Sequence, residues 1–198
     1  PYAEPPQATM TVRSPSNLGG DKVLPGGMQR SADTAMRLGT ATHRLLEILP
    51  NAPQDQWGKI AERLIEEDIR ALALQEARSV LKRPELAYIF APESLAEVDI
   101  TAHLPELNGD PIQGSIDRLL ISPTRVLAVD FKSNQIVPRE AAQVPSGLLR
   151  QMGAYAAALS QIYPHHDIET AILWTKTLEL MPLPRDLVIS SLAYTPLT

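Results

Sequence analysis

The sequence predicts an α/β or α+β sandwich, and three observations carry that prediction. Two helical stretches open the patterned part of the chain, a run of strand patterns ordered as a meander follows, and a further helix precedes the last strands. The segment Val126-Leu-Ala-Val129 is continuously apolar, as a central strand covered on both faces would be. A chain of 198 residues with 44% hydrophobic content can bury a sizeable core, which at 5% aromatic content rests mainly on Leu, Ile, Val and Ala.

Residues 1–30 hold five of the eighteen prolines and two Gly-Gly pairs without sustained periodicity, so they read as a linker or an extended segment lying over another surface. Residues 31–198 read as the folded domain. A helix is expected from Ser31 or Asp33 to Leu49, with Leu38, Thr42, Leu45, Leu46 and Leu49 on one stripe and Pro50 as its stop. A longer helical stretch, Asp55 to Leu81, carries Trp57, Ile60, Leu64, Ile65, Leu72 and Leu74, and Pro84 ends it. Its charges at Glu62, Arg63, Glu66, Glu67, Asp68 and Arg70 read as a solvated face.

Leu95 to Leu104 alternates loosely, and Asn108-Gly109-Asp110 signals the turn of a hairpin into Ile112 to Ile121. Ser122-Pro123-Thr124 then turns the chain into the strand Val126 to Phe131. Gly147 to Tyr163 reads as a helix, Thr170 to Thr175 as a second buried strand, and Leu178 to Met181 as a short edge strand. No internal repeat is present.

Composition narrows the chemistry. The chain has no cysteine, which removes disulfides, zinc–thiolate sites and cysteine-ligated iron–sulfur clusters and suits a reducing compartment, so a cytoplasmic location is expected. No apolar run approaches the roughly 20 residues that span a bilayer, so no membrane partner is expected. The formal net charge of −5 argues against independent capture of duplex DNA, whose affinity comes largely from Lys and Arg. The chain starts at Pro1 rather than methionine, which suggests a fragment of a longer protein.

Two strand ends carry the candidate chemistry. In an extended chain alternate side chains share a face, so Asp130 and Lys132 project together while Phe131 turns the other way. Asp117, in Gly114-Ser-Ile-Asp117-Arg118, lies on the neighbouring strand. Carboxylates on adjacent strands suit Mg²⁺, with Mn²⁺ as a substitute, because both are hard cations that prefer oxygen. Lys132 beside them can orient a water and stabilise a pentacovalent phosphate, or can simply pair with Asp130. The combination suits hydrolysis of a phosphodiester.

His43 falls at the border of the first helix's apolar stripe, with Gly39 one turn earlier leaving room for another backbone, so its imidazole could join the aspartates as a metal ligand. Gln151 and Tyr155, spaced i, i+4, form a polar strip on an otherwise apolar helix and are candidates for DNA binding. Glu97 could add a carboxylate but is set aside, and His103, His165 and His166 have no partner that the sequence names.

These motifs, Gly39-x-x-x-His43-Arg-Leu-Leu-Glu47, Leu95-Ala-Glu97-Val, Gly114-x-Ile-Asp117-Arg118, Val129-Asp130-Phe-Lys132 and Gln151-x-x-x-Tyr155, stand in the order used by RecB-type nucleases of the PD-(D/E)XK superfamily. With Pro84-Glu-Leu-Ala, Phe90-Ala-Pro-Glu-Ser-Leu-Ala-Glu97 and Leu173-Trp174-Thr175, the chain resembles the C-terminal nuclease domains of AddA-type helicase–nucleases over residues 31 to 185. The resemblance implies a restriction-endonuclease-like core, a mixed sheet flanked by helices. It implies His43, Asp117 and Asp130 as metal ligands, the Phe131 carbonyl as a further one, and Lys132 as the catalytic lysine. It gives Gln151 and Tyr155 a part in positioning the strand. It further implies Mg²⁺-dependent, exonucleolytic cleavage of single-stranded DNA ends in double-strand-break repair. The implied partners are an AddB-type subunit and a helicase portion of the same chain, since no Walker motif occurs here. Phe131 stands where relatives often carry tyrosine, and its side chain is expected to point away from the site. One rival reading is a catalytically silent nuclease fold that guides DNA or docks a subunit, and another is a metal-dependent hydrolase acting on a small phosphoester.

Overall fold

The computed structural model describes residues 12–23 and 32–194. One five-stranded mixed sheet runs in chain order: β1 Leu95–His103, β2 Pro111–Ile121, β3 Arg125–Lys132, β4 Asp167–Trp174 and β5 Glu179–Leu183. β1, β2 and β3 form an antiparallel meander, β3 pairs parallel with β4, and β5 returns antiparallel along the far edge. A parallel neighbour needs a crossover, and α4, Ser146–Ile162, supplies it between β3 and β4.

β3 is covered on both faces, which is why it reads as an unbroken apolar run. Leu127, Val129 and Phe131 pack on one side with Leu38, Leu45 and Leu46 of α1 (Ala32–Ile48) and with Ala73 and Ala77 of α3 (Glu67–Leu81). Val126 and Ala128 pack on the other with Leu148, Met152 and Leu159 of α4 and Val188 and Leu192 of α5 (Arg185–Ala193). The same alternation brings Asp130 and Lys132 out on the α4 side.

The expected long helix from Asp55 to Leu81 is two helices. α2 spans Trp57–Leu64, and the chain is extended at Ile65 before α3 begins. The break lets Ile65 bury its side chain, while its carbonyl accepts from Arg70 Nε at 3.1 Å. Glu66, Glu67 and Asp68 then sit at the start of α3, where carboxylates favour the helix dipole. Arg37 of α1 pairs with both Glu66 and Asp68. Pro84–Phe90 coils as a 3-10 helix, which the proline stop did not foretell, and α5 was not read from the sequence.

Residues 12–23 lie against the folded domain. Arg13 N–H donates to the Pro111 carbonyl at 2.8 Å and the Arg13 carbonyl accepts from Gln113 N–H at 2.9 Å, Leu18 is buried, and the Asp21 carbonyl accepts from Gly147 N–H at 2.9 Å. Residues 1–11 and 24–30 of the expected linker, and the helix start at Ser31, fall outside the described residues.

Candidate active site where two strands diverge

The ladder between β2 and β3 stops at Arg118↔Val129. At the next position the strands part, and a side chain replaces the backbone bond: Asp117 Oδ2 accepts from the Phe131 N–H at 2.5 Å. Ile116 and Leu119 both join the core on the α4 side, an odd spacing that breaks the alternation of β2 around Asp117. The divergence therefore sets two aspartates of neighbouring strands beside a gap in the sheet.

α1 brings His43 to within 3.3 Å of Asp117, Nδ1 to Oδ1. The imidazole also meets the Phe131 ring edge-on, with centroids 5.6 Å apart. Phe131 does leave Asp130 and Lys132 for the other face, as its alternation requires. Its ring nonetheless supports His43, so it does not point away from the site. Gly39 admits the loop after β3, since a Cβ there would stand 2.9 Å from Ser133 Oγ.

Asp130 is 3% exposed. Gln151 Nε2 donates to its Oδ1 at 2.7 Å, and the Lys132 ammonium pairs with its Oδ2. Burial pushes the Asp130 carboxyl up from its ordinary range; Lys132 opposes that shift and the Asp117 charge adds to it. Asp117 is the reverse case. Burial works against its charge, but the His43 hydrogen bond and charge and the Phe131 N–H prevail and hold its carboxyl low. For His43 burial favours the neutral ring, yet Asp117 raises it above the ordinary value. The two carboxyls are thus driven apart.

Tyr155 O–H donates to the Ser115 carbonyl at 2.6 Å, and Gln151 Nε2 lies 3.2 Å from the Tyr155 oxygen. Both side chains are buried. Their polar atoms are engaged with β3 and β2, so they brace the site strands from behind.

A family model described as the PD-(D/E)XK nuclease superfamily matches residues 20–180. The chain belongs to that superfamily. No curated protein matches it. PD-(D/E)XK proteins are generally metal-dependent nucleases, hydrolases of phosphodiester bonds, and typically use divalent ions such as Mg²⁺. The five-stranded mixed sheet with flanking helices is the α/β architecture expected of a PD-(D/E)XK chain. No helix among the described residues is long and apolar enough to cross a membrane.

The donor set of this PD-(D/E)XK chain fits a hard divalent cation. Two carboxylates and an imidazole are of the right chemistry, and the buried Asp130 Oδ2 is held by the Lys132 ammonium, a partly exposed group that can turn away and leave that oxygen to a cation. Among the described residues, however, no three His, Asp or Glu side chains are already gathered at ligand distance. Lys132 stands beside Asp130 as the local counter-charge.

Three further residues join the site. Glu97 of β1 has a left-handed backbone, φ 48°, between the in-register pairs Ala96↔Arg118 and Val98↔Ile116, opposite Asp117. Burial and the Asp117 charge raise its carboxyl. A non-glycine residue in that conformation is strained, and such strain gathers at functional sites. Its place in Leu95-Ala-Glu97-Val was the available signal. Thr175, directly after β4, donates from its N–H to the Lys132 carbonyl at 2.9 Å and from Oγ1 to Glu76 at 2.5 Å, which ties the end of β3 to α3. Arg118, the residue after Asp117, is 2% exposed and bonded to α1.

Proposed function

We propose that the chain is a Mg²⁺-dependent deoxyribonuclease domain, with Mn²⁺ as a substitute ion. The observation that supports it best is the meeting of Asp117, Asp130, Lys132 and His43 at the point where β2 and β3 part. His43, Asp117 and Asp130 would hold the cation, which would supply Lewis-acid stabilisation of charge on the phosphoryl oxygens.

The chain's own groups divide the remaining work. Lys132, a fifth exposed at its side chain, can turn to orient the attacking water and stabilise charge developing on the phosphate. Gln151 fixes the rotation of the Asp130 carboxylate, and Tyr155 fixes β2 through Ser115. The Phe131 N–H and His43 hold Asp117 from two sides.

The finer reading is an AddA-type domain acting exonucleolytically on single-stranded ends unwound by an attached helicase, alongside an AddB-type subunit in double-strand-break repair. Its support is the motif order and the net charge of −5, which suits a strand delivered to the site better than independent capture of a duplex. The test is cleavage of single-stranded DNA with Mg²⁺. Asp130→Ala and Lys132→Ala are expected to lower the rate by about 10²–10⁴. Cleavage equal to wild type would refute the site.

A second reading, a silent nuclease fold used for docking or guiding DNA, draws on the Lys132–Asp130 pair and the ungathered ligands. Calorimetry with Mn²⁺ separates the two. Binding that disappears in Asp117→Ala supports the enzyme, and absence of binding by the wild type supports the silent module.

A further inference from the structure

Arg118 is the most deeply buried cation in the described chain that the proposed chemistry does not use. Its Nη2 donates to the carbonyls of Leu46 at 2.7 Å and Glu47 at 3.3 Å, and its Nη1 donates to Ser94 Oγ at 3.3 Å. Its Nε is buried without a hydrogen-bond partner. The Phe90 ring covers the guanidinium at 5.2 Å, Phe90 packs on Phe131 at 5.9 Å, and Phe131 supports His43 at 5.6 Å.

Fold stability alone does not explain this arrangement. Burying a charge is costly, and a packed apolar side chain of similar volume often serves as well or better. What an apolar side chain lacks is a rigid fork of donors. That fork holds the carbonyls of the third and fourth residues after His43, among the last four of α1, whose carbonyls have no partner within the helix. One neighbour of the bond is therefore the helical turn that carries His43. The other, along the chain, is Asp117.

We infer that Arg118 is a positioning residue that sets the His43-bearing turn of α1 against the Asp117-bearing middle of β2, and that it does so in concert with the Phe90–Phe131 stack. This rests on the nuclease reading for its consequence in catalysis, but the geometry it controls exists without any metal. Glu47, Glu97 and Asp117 are the carboxylates whose charges act on the guanidinium, so Arg118 also sets a fixed positive charge behind the mouth of the site.

The experiment compares wild type with Arg118→Met, Arg118→Lys and Asp117→Ala. In EDTA, the nuclear Overhauser contact between the His43 and Phe131 rings is expected in the wild type, lost in Arg118→Met and partly kept in Arg118→Lys, while Arg118→Met stays folded with a Tm lowered by the few degrees that an orphaned carbonyl costs. With metal, Mn²⁺ affinity by calorimetry and kcat on single-stranded DNA are expected to fall by about 10–100-fold in Arg118→Met with KM unchanged. A ring contact retained in Arg118→Met, or wild-type Mn²⁺ affinity, would overturn the inference. So would failure of Arg118→Met to fold, which would make the arginine a support of the fold instead. Absence of Mn²⁺ binding and of cleavage in the wild type would overturn the nuclease reading alone, because the ring contact does not depend on it, whereas activity that survives in Asp117→Ala would overturn only the assignment of Asp117 to the site.

Discussion

Neutralising Asp130 should stabilise the metal-free protein while abolishing its function. The carboxyl is buried, its folded-state pKa is raised chiefly by that burial, and the Asp117 charge adds to it against the pull of Lys132. An acid whose pKa is raised on folding contributes stability below its unfolded pKa of 3.8 and loses it as pH rises through the higher folded value. At neutral pH the wild type therefore carries the full cost of a buried charge, and Asp130→Asn does not. Asn keeps an oxygen for the Gln151 amide, and Lys132, partly exposed, can turn to water. Urea unfolding in EDTA should show the two proteins converging below pH 3.8, with Asp130→Asn ahead by about 1–3 kcal/mol at pH 7.5. Added Mn²⁺ at about 100 times its Kd should restore roughly 2.7 kcal/mol to the wild type and nothing to the variant. If Asp130→Asn is the less stable protein at pH 7.5 in EDTA, the Lys132 attraction exceeds the desolvation cost and the reasoning fails.

Gly153→Ala would place a Cβ 2.3 Å from the Val188 carbonyl and 2.9 Å from Leu192 Cβ, so α5 must shift. We expect a loss of about 1–2 kcal/mol, read as a fall in Tm of roughly 4 °C, with cleavage unchanged well below Tm. Gly147→Ala would set a Cβ within 2.7, 2.8 and 3.1 Å of the carbonyls of Asp21, Gly20 and Gly19, which should lift residues 12–23 and speed tryptic cutting after Arg13 and Lys22. Tyr155→Phe removes the bond to the Ser115 carbonyl and should cost about 1 kcal/mol in urea unfolding, with a fall in kcat and little change in Mn²⁺ affinity.

What the sequence revealed followed from periodicity that a local rule can read. The stripe of α1 and the apolar run of β3 each answer to one packing face or two, and each is present. Asp130 and Lys132 were legible from strand alternation and His43 from helix phase, whereas Asp117, expected at a strand end, lies inside β2 where a break in the alternation sets its direction. The break at Ile65 was hidden, since the apolar spacing runs on through it without a Gly or Pro, and Arg37, which pairs with the turn, lies 29 residues away from Glu66. Arg118 and Thr175 were hidden for the same reason: their partners on α1 and α3 are distant in sequence. The strain at Glu97 belongs to a backbone angle that no residue type announces.

The site itself follows from a conflict in sheet geometry. β2 keeps register with β1 from Pro111 to Leu119, but its ladder with β3 reaches back only to Arg118↔Val129, while β3 continues in parallel register with β4 as far as Lys132↔Trp174. The two strands cannot keep company to their ends, so the Phe131 N–H on the β2 side would be left without a backbone acceptor, a cost of about 1–3 kcal/mol in a buried position. Asp117 meets that donor with a carboxylate and is thereby held with its other oxygen toward His43. Substituting Asn at 117 would keep the bond to Phe131 and weaken the pairing with His43. Asp117→Asn should accordingly fold and lose Mn²⁺ binding, whereas Asp117→Ala should lose stability as well. A variant pair in which Ala is as stable as Asn would show that the splayed N–H is satisfied some other way, and that the parting of the strands does not depend on this aspartate.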